Sequence, residues 1–379
     1  MSAKPLAMGM AGGGPGSFIG PIHRIAAELD GDARLCAGVF SSDPGRSQAA
    51  GKAYGIDPDR IYSDVATMVA AERQRSDGID FLTIATPNDT HLPIALAAIE
   101  AGVHVVSDKP ATATLDEALT LRDRLAGTGC LYALTYTYTG YPLIREARDI
   151  VARGDLGRLR KIHVDYPQGW LADAIENSGN KQAGWRTDPA RTGVGGCISD
   201  IGVHAFNLAE YVSGERVIEL LASLAKVVPG RTLDDDATVL VRFSGGAQGL
   251  ITATQIAAGA RNDLKIRIWG ERGGLEWSHA DSQRLYLRWP DRPDQILCAG
   301  SSYLGEAARR ASRLPAGHPE GFIEAFATLY RDFTKAIRAK APAIISPLSG
   351  IEEGVRSMRF IETALQSSNL GAAWLPLID

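Results

Sequence analysis

The chain reads as an α/β N-terminal Rossmann domain with a doubly wound parallel sheet, followed by an α+β domain built on a large, mainly antiparallel open sheet. Three observations predict this. Buried-strand runs alternate with helical patterns up to about residue 130, as they do where crossover helices join parallel strands. Beyond that point, runs rich in branched residues follow one another with only turns between them. The length of 379 residues also exceeds one ordinary domain. The expected division is 1–130 and 131–379.

Composition narrows the function classes. The chain is 45% apolar and 22% charged, with a formal charge of −4 and no basic stripe, which argues against a nucleic-acid partner. No apolar run approaches the ~18–20 residues of a membrane span. The opening Met1-Ser2-Ala3-Lys4-Pro5 has no signal-peptide pattern and no twin-arginine pair. Cys36, Cys130, Cys197 and Cys298 are far apart and form no C-x-x-C. That spacing argues against a zinc site or a disulfide framework and fits a reducing cytoplasm.

Leu6 to Ala11 reads as the first strand. It runs into Gly12-Gly13-Gly14-Pro15-Gly16-Ser17-Phe18-Ile19-Gly20 and then a helical pattern through Ile22, Ile25, Ala26 and Leu29. Strand, glycine turn and helix form the context of a dinucleotide fingerprint, in which bare backbone approaches a pyrophosphate at a helix N-terminus. Gly12 and Gly14 suit its first two positions, and Gly16 or Gly20 the third. Arg34 to Phe40 is the second strand. At its tip Ser41, Ser42 and Asp43 are candidates for the adenosine ribose, and Arg46 for a 2′-phosphate. Asp43 could equally cap a helix before Pro44. A third strand, Asp80 to Ala85, ends in Thr86-Pro87-Asn88 with His91 shortly after. A fourth, Gly102 to Ser107, ends in Asp108-Lys109-Pro110, and Gly129 to Thr135 is the fifth. In such sheets ligands lie beyond the carboxyl ends of the strands. Lys109 sits on that edge, an odd place for a merely solvated charge.

Tyr136 to Tyr141 is an aromatic, threonine-rich linker into a helix near Pro142 to Ile150. Strands are expected at Arg160 to Tyr166, Val217 to Val228, Ala237 to Phe243, Gly249 to Ala257, Leu264 to Trp269, Gly274 to Ser278 and Arg284 to Trp289. Helices near Gly321 to Ala339 and Ile351 to Ser367 close the chain. A polar, aromatic loop carrying Gln168, Trp170, Trp185 and Arg186 has the composition of sites for polyhydroxylated ligands. Then comes Gly195-Gly196-Cys197-Ile198-Ser199-Asp200-Ile201-Gly202-Val203-His204, where two glycines enter a helix running on through Tyr211. Asp200 and His204 fall one turn apart on it, a carboxylate beside an imidazole. Surface pairing and proton transfer both fit that spacing. His318 caps the late helix or reaches the site.

The glycine loop leading to His23, Thr86-Pro87-Asn88 with His91, Asp108-Lys109-Pro110, Trp185-Arg186, and Gly195-Gly196 with Asp200 and His204 occur in one order. In this the chain resembles the glucose–fructose oxidoreductase / inositol dehydrogenase (Gfo/Idh/MocA) family of nicotinamide-dependent enzymes. It departs from the family pattern at Asp108, where glutamate is usual, in the longer glycine loop, at the displaced Asp43, and at Asn207. The resemblance implies NAD, or NADP, held by Gly12, Gly14, Pro15, Gly16, Ser17, Phe18, Ile19, Ser41, Ser42, Asp43, Arg46, Thr86, Pro87, Asn88, His91, Asp108 and Lys109. It implies that Lys109 hydrogen-bonds the reacting hydroxyl, that His204 is the general base, and that Asp200 orients His204 or holds a neighbouring hydroxyl. No metal is implied. The substrate would be a sugar, glycoside or cyclitol, contacted by Lys109, Tyr138, Gln168, Trp170, Trp185, Arg186, Asp200, His204 and His318. A homo-oligomer through the C-terminal sheet is implied as well. Two other readings stand beside the dehydrogenase: a lyase or epimerase-type glycoside enzyme that keeps its NAD, and a non-catalytic nucleotide- or sugar-binding sensor on the same fold.

Overall fold

The computed structural model describes residues 4–340 and 347–378; Met1, Ser2 and Ala3 of the opening segment lie outside the described residues. The chain forms two compact units. One combines Met1–Thr137 with Phe322–Val355, and the other Tyr138–Gly321 with Arg356–Asp379. A single division at residue 130 therefore does not describe the chain, because a late segment returns to the first unit.

In the first unit β1 (Leu6–Gly12), β2 (Ala33–Val39), β3 (Phe81–Ala85), β4 (His104–Ser107) and β5 (Tyr132–Leu134) lie in the order β2-β1-β3-β4-β5. Every pairing is parallel. The order reverses at β1, so a crevice opens beyond the carboxyl ends of β1 and β3, where the glycine loop and Thr86 begin. Met8, Met10 and Phe81 are fully buried. The helix Ile19–Leu29 covers them with Gly20, His23, Ala26 and Ala27, spaced three or four apart as one helical face requires. The returning segment is the helix Phe322–Ala339, whose Phe326, Leu329, Tyr330 and Phe333 join the same core. Its Tyr330 hydroxyl meets His23 Nδ1 at 2.7 Å and Thr83 Oγ1 at 3.1 Å, giving the buried imidazole a polar partner.

The second unit holds β6 (Leu159–Pro167), β7 (Val217–Ala225), β8 (Asp236–Phe243), β9 (Gln248–Thr254), β10 (Lys265–Gly270), β11 (Gly274–Ser278), β12 (Arg284–Arg288), β13 (Gln295–Cys298) and β14 (Leu375–Pro376). They form a nine-stranded sheet in the order β13-β12-β11-β10-β6-β9-β8-β7-β14. All its pairings are antiparallel except that of β6 with β9. Alternate residues of β6, Ile162, Val164 and Tyr166, are buried on the face that meets the helix Val203–Ser213. The opposite face carries a rank of side chains in cross-strand register: Leu221, Leu240, Leu250, His163, Arg267, Glu276, Tyr286 and Ile296. Among the described residues no helix is long and apolar enough to cross a membrane.

Candidate active site

The glycine loop leaves β1 as a bare backbone cradle. A Cβ on Gly12 would stand 2.3 Å from Ala85 O, and one on Gly14 2.2 Å from Phe40 O. Neither position admits a side chain. The third fingerprint position, open between Gly16 and Gly20 in the sequence, goes to Gly20 on packing grounds: its Cβ would lie 2.1 Å from Gly13 Cα. Gly16 instead has φ +79°, a turn conformation that glycine adopts without penalty. Ser17 Oγ accepts from Gly20 N–H at 3.2 Å at the mouth of the helix, and the neighbouring Phe18 is 63% exposed. Asp43 caps the helix Pro44–Ala53, with Oδ1 accepting from Arg46 N–H at 2.7 Å.

The loops after β3 and β4 are tied together by His91. Its ring nitrogens lie 2.9 Å from Pro110 O and 2.9 Å from Thr86 O. Asn88 is buried beside it. Lys109 is half-buried and precedes a cis proline. The Asp108 carboxylate accepts from Lys109 N–H at 2.9 Å and from Thr135 Oγ1 at 3.2 Å, so this short acid braces the turn itself.

The helix expected from Gly195 is not regular. Ile198–Gly202 is a π-helical turn, and α geometry begins only at Val203. The wider turn shifts the phase between Asp200 and His204 from the α spacing assumed above. Asp200 Oδ2 accepts from Arg186 Nε at 3.2 Å and from Gln255 Nε2 at 2.8 Å. At the far end of the helix, Glu210 accepts from Arg356 Nε at 2.8 Å and from Val217 N–H at 2.7 Å. Phe206 stacks on Phe360 at 4.3 Å between ring centroids. The segment bearing His204 is thus fixed along its length.

Around His204 lies a buried polar ring. Tyr138 and Tyr166 share a hydrogen bond of 2.5 Å, Tyr166 donates to Asn262 Oδ1 at 2.8 Å, and Asn262 Nδ2 donates to Tyr138 at 3.1 Å. The Tyr138 and Tyr166 rings stand 5.2 and 6.1 Å from the His204 ring. Burial pushes the Tyr138 phenol up to about 12 and the Tyr166 phenol well above its usual range, so both keep the protons that the ring of bonds needs. Gln168 joins through Nε2, 2.6 Å from Asn262 Oδ1, and its Oε1 accepts from Trp170 Nε1 at 2.9 Å. Arg186 lies 4.2 Å over Trp185 and 5.8 Å from Trp170. Tyr138 was expected to contact substrate; it is 2% exposed with its hydroxyl engaged in this ring, because the aromatic linker packs inward. His318 does not join. It is exposed in a turn, and Glu320 ties that loop by accepting from Leu314 N–H at 2.7 Å.

The sequence reading passed over Tyr166, Gln255, Asn262 and Asp234. Only Asp234 carried a signal, as the first of three consecutive acids at the start of a strand.

Residues 7–136 match the oxidoreductase family with an NAD-binding Rossmann fold, and residues 144–276 match the GFO/IDH/MocA C-terminal domain. The chain belongs to this family. It is therefore an NAD-binding oxidoreductase of the sugar and cyclitol dehydrogenase type. The chain is 34% identical to an uncharacterized oxidoreductase of Bacillus subtilis, covering 98% of this chain and 97% of that one. It is 37% identical to an inositol dehydrogenase homolog from Azotobacter vinelandii, whose crystal structure holds NADH and myo-inositol; that match has a TM-score of 0.91 and covers 99% and 98% of the two chains. A levoglucosan dehydrogenase of Pseudarthrobacter phenanthrenivorans is 26% identical over 76% of this chain and 79% of its own. With no room for a Cβ at Gly12 against Ala85 O or at Gly14 against Phe40 O, the loop before the helix Ile19–Leu29 is bare backbone, and such a loop at a helix N-terminus fits the pyrophosphate of NAD.

Proposed function

We propose that the chain oxidises a secondary hydroxyl of a sugar, glycoside or cyclitol to a ketone, and runs the reverse reduction. NAD, when bound, supplies the two-electron acceptor. The chain supplies binding and proton handling. The glycine loop with Ser41, Ser42, Asp43, Thr86, Pro87 and Asn88 holds the dinucleotide. Lys109 hydrogen-bonds the reacting oxygen and stabilises charge there. His204 accepts the hydroxyl proton at a ring nitrogen and returns it in the reverse direction. Asp200, held by Arg186 and Gln255, is a fixed carboxylate for His204 or for an adjacent substrate hydroxyl. Gln168, Trp170 and Trp185 meet the polyol with amide and indole surfaces. The observation that carries this reading is the anchoring of Asp200 and of the His204 helix by polar partners, since a proton-transfer group must be held in place to act. The relative that holds myo-inositol and NADH supports the substrate class. We infer further that copies of the chain associate through the open face of the nine-stranded sheet. The four cysteines are free thiols, which suits a reducing compartment such as the cytoplasm.

A panel of cyclitols, aldoses and anhydrosugars with NAD and with NADP, scored for reduced nicotinamide, tests the proposal. Lys109→Ala and His204→Ala should each lower turnover at least ~100-fold, the usual reach of general acid–base groups, while NADH fluorescence titration still reports binding. Full turnover in both variants would sink the assignment. A clear preference for NADP would shift the ribose pocket from Asp43 to Arg46. Consumption of a glycoside without net NADH would move the enzyme to the lyases.

A further inference from the structure

The turn that begins the His204 segment is gripped from a loop far along the chain. Gly196 N–H donates to Asp234 Oδ1 at 2.7 Å, and Ile198 N–H donates to Oδ2 at 2.7 Å. Between them, Cys197 N–H donates to the Asp234 main-chain oxygen at 2.8 Å. Three consecutive amides are thus held by one residue, itself 5% exposed. These are the amides a helical segment leaves unpaired at its start, and a carboxylate there meets both their hydrogens and the positive end of the segment. The approach is close enough to forbid side chains: a Cβ on Gly196 would stand 2.2 Å from Asp234 O. The paired glycines of the motif thus have a physical reason within this unit. Gly196 admits Asp234, and Gly195 admits Ser199 Oγ, 2.4 Å from where its own Cβ would be. Two residues past Ile198 comes Asp200, and four further on His204.

We propose that Asp234 is a positioning residue for the reaction. It touches neither substrate nor cofactor, and acts by fixing the π-helical turn that sets where Asp200 and His204 point. This rests on the proton-transfer reading of His204 given above. The adjacent Asp235 is a built-in control. It is 2% exposed, and it too grips two backbone amides, Val227 N–H at 2.8 Å and Val228 N–H at 2.9 Å, but those belong to a turn without His204. Asparagine at either position presents an amide donor to one backbone donor, and at Asp235 it also weakens the buried ion pair of Oδ2 with Arg231 Nη1 at 3.3 Å, so the control variant is at least as disturbing to its surroundings as Asp234→Asn.

The test compares these two variants with the wild-type chain. With the best polyol of the panel, Asp234→Asn should lower kcat by about 100-fold, the effect of displacing a reacting group by roughly 1 Å. KM for NAD should hold, and the acid limb of the pH–rate profile should move. Asp235→Asn should lose at least as much thermal stability yet keep kcat within a few-fold. The ring proton resonances of His204 in NMR spectra should shift in Asp234→Asn and stay in Asp235→Asn, a readout that needs no turnover. Equal loss of kcat in both variants, or wild-type kcat and an unmoved His204 resonance in Asp234→Asn, overturns the proposal. Should Asp234→Asn fail to fold, Gly196→Ala presses on the same grip from the other side and is read in the same way. A wild-type chain that reduces NAD with no member of the panel counts against the functional reading; the NMR comparison still decides the role of Asp234.

Discussion

Gly20 and Gly16 could not be ranked by spacing, since both follow Gly14 within the reach of a phosphate loop. What marks Gly20 is a steric contact: the Cα of Gly13, in the loop, lies 2.1 Å from its absent Cβ. Gly20→Ala should therefore force the helix Ile19–Leu29 away from the loop. The expected cost is about 1–3 kcal/mol of stability, as for other overpacked sites, with weaker NADH binding in a fluorescence titration. A variant that melts and binds NADH like the parent would show that helix and loop part freely. Lys109, Asp200 and His204 stand out in the sequence as candidates because they combine chemistry with placement at a strand end or on a helix. Asn262 was not. It is a single amide in a turn, and its importance comes from Tyr138 and Gln168, which are 124 and 94 residues away in sequence. Periodicity reports which face a residue lies on and says nothing of such distant polar partners.

At the scale of elements, the apolar stripe of Phe322–Ala339 marks a helix in the sequence, but a stripe does not name its partner. The partner is the first unit, through Phe326, Tyr330 and Phe333. The buried His23 lies against this helix. Burial lowers its pKa from 6.5 to about 4, with the Asp108 charge pulling the other way. The native ring therefore stays neutral where the unfolded ring takes a proton. This contribution to stability is fully present above pH 6.5 and is lost as pH falls toward 4. Over that window it amounts to about 3 kcal/mol. Melting temperature followed between neutral pH and pH 4 should fall less steeply in His23→Phe than in the wild type; parallel curves would place the acid sensitivity elsewhere. The π-helical turn at Ile198–Gly202 is the other departure from pattern. Glycines and apolar residues announce a helix there, whereas the Asp234 grip that accompanies its irregular start comes from outside the segment.

For the whole molecule, the parallel sheet, the antiparallel sheet and their order were readable, because alternation of elements and runs of branched residues are strong signals. The short edge strands β13 and β14 were missed, being too brief to show a period. The open face of the larger sheet carries Leu240 at 41% and Trp269 at 37% exposure, with Leu221 and Leu250 beside Leu240 in register. An apolar row across β9, β8 and β7 on the open face suits contact with a second copy. Light scattering after size exclusion should find an oligomer for the wild type and a smaller species for Leu240→Glu. A monomeric wild type would remove the assembly from the functional picture.

The return of Phe322–Ala339 also bears on the order in which the chain can fold. The His23–Tyr330 contact spans 307 residues. The parallel sheet is encoded within the first 134 residues, yet its outer core stays uncovered until the last part of the chain is available. A contact of such long range adds loop-closure entropy to the first unit and slows its completion. During synthesis the loop for NAD is thus written first and its supporting core closed late.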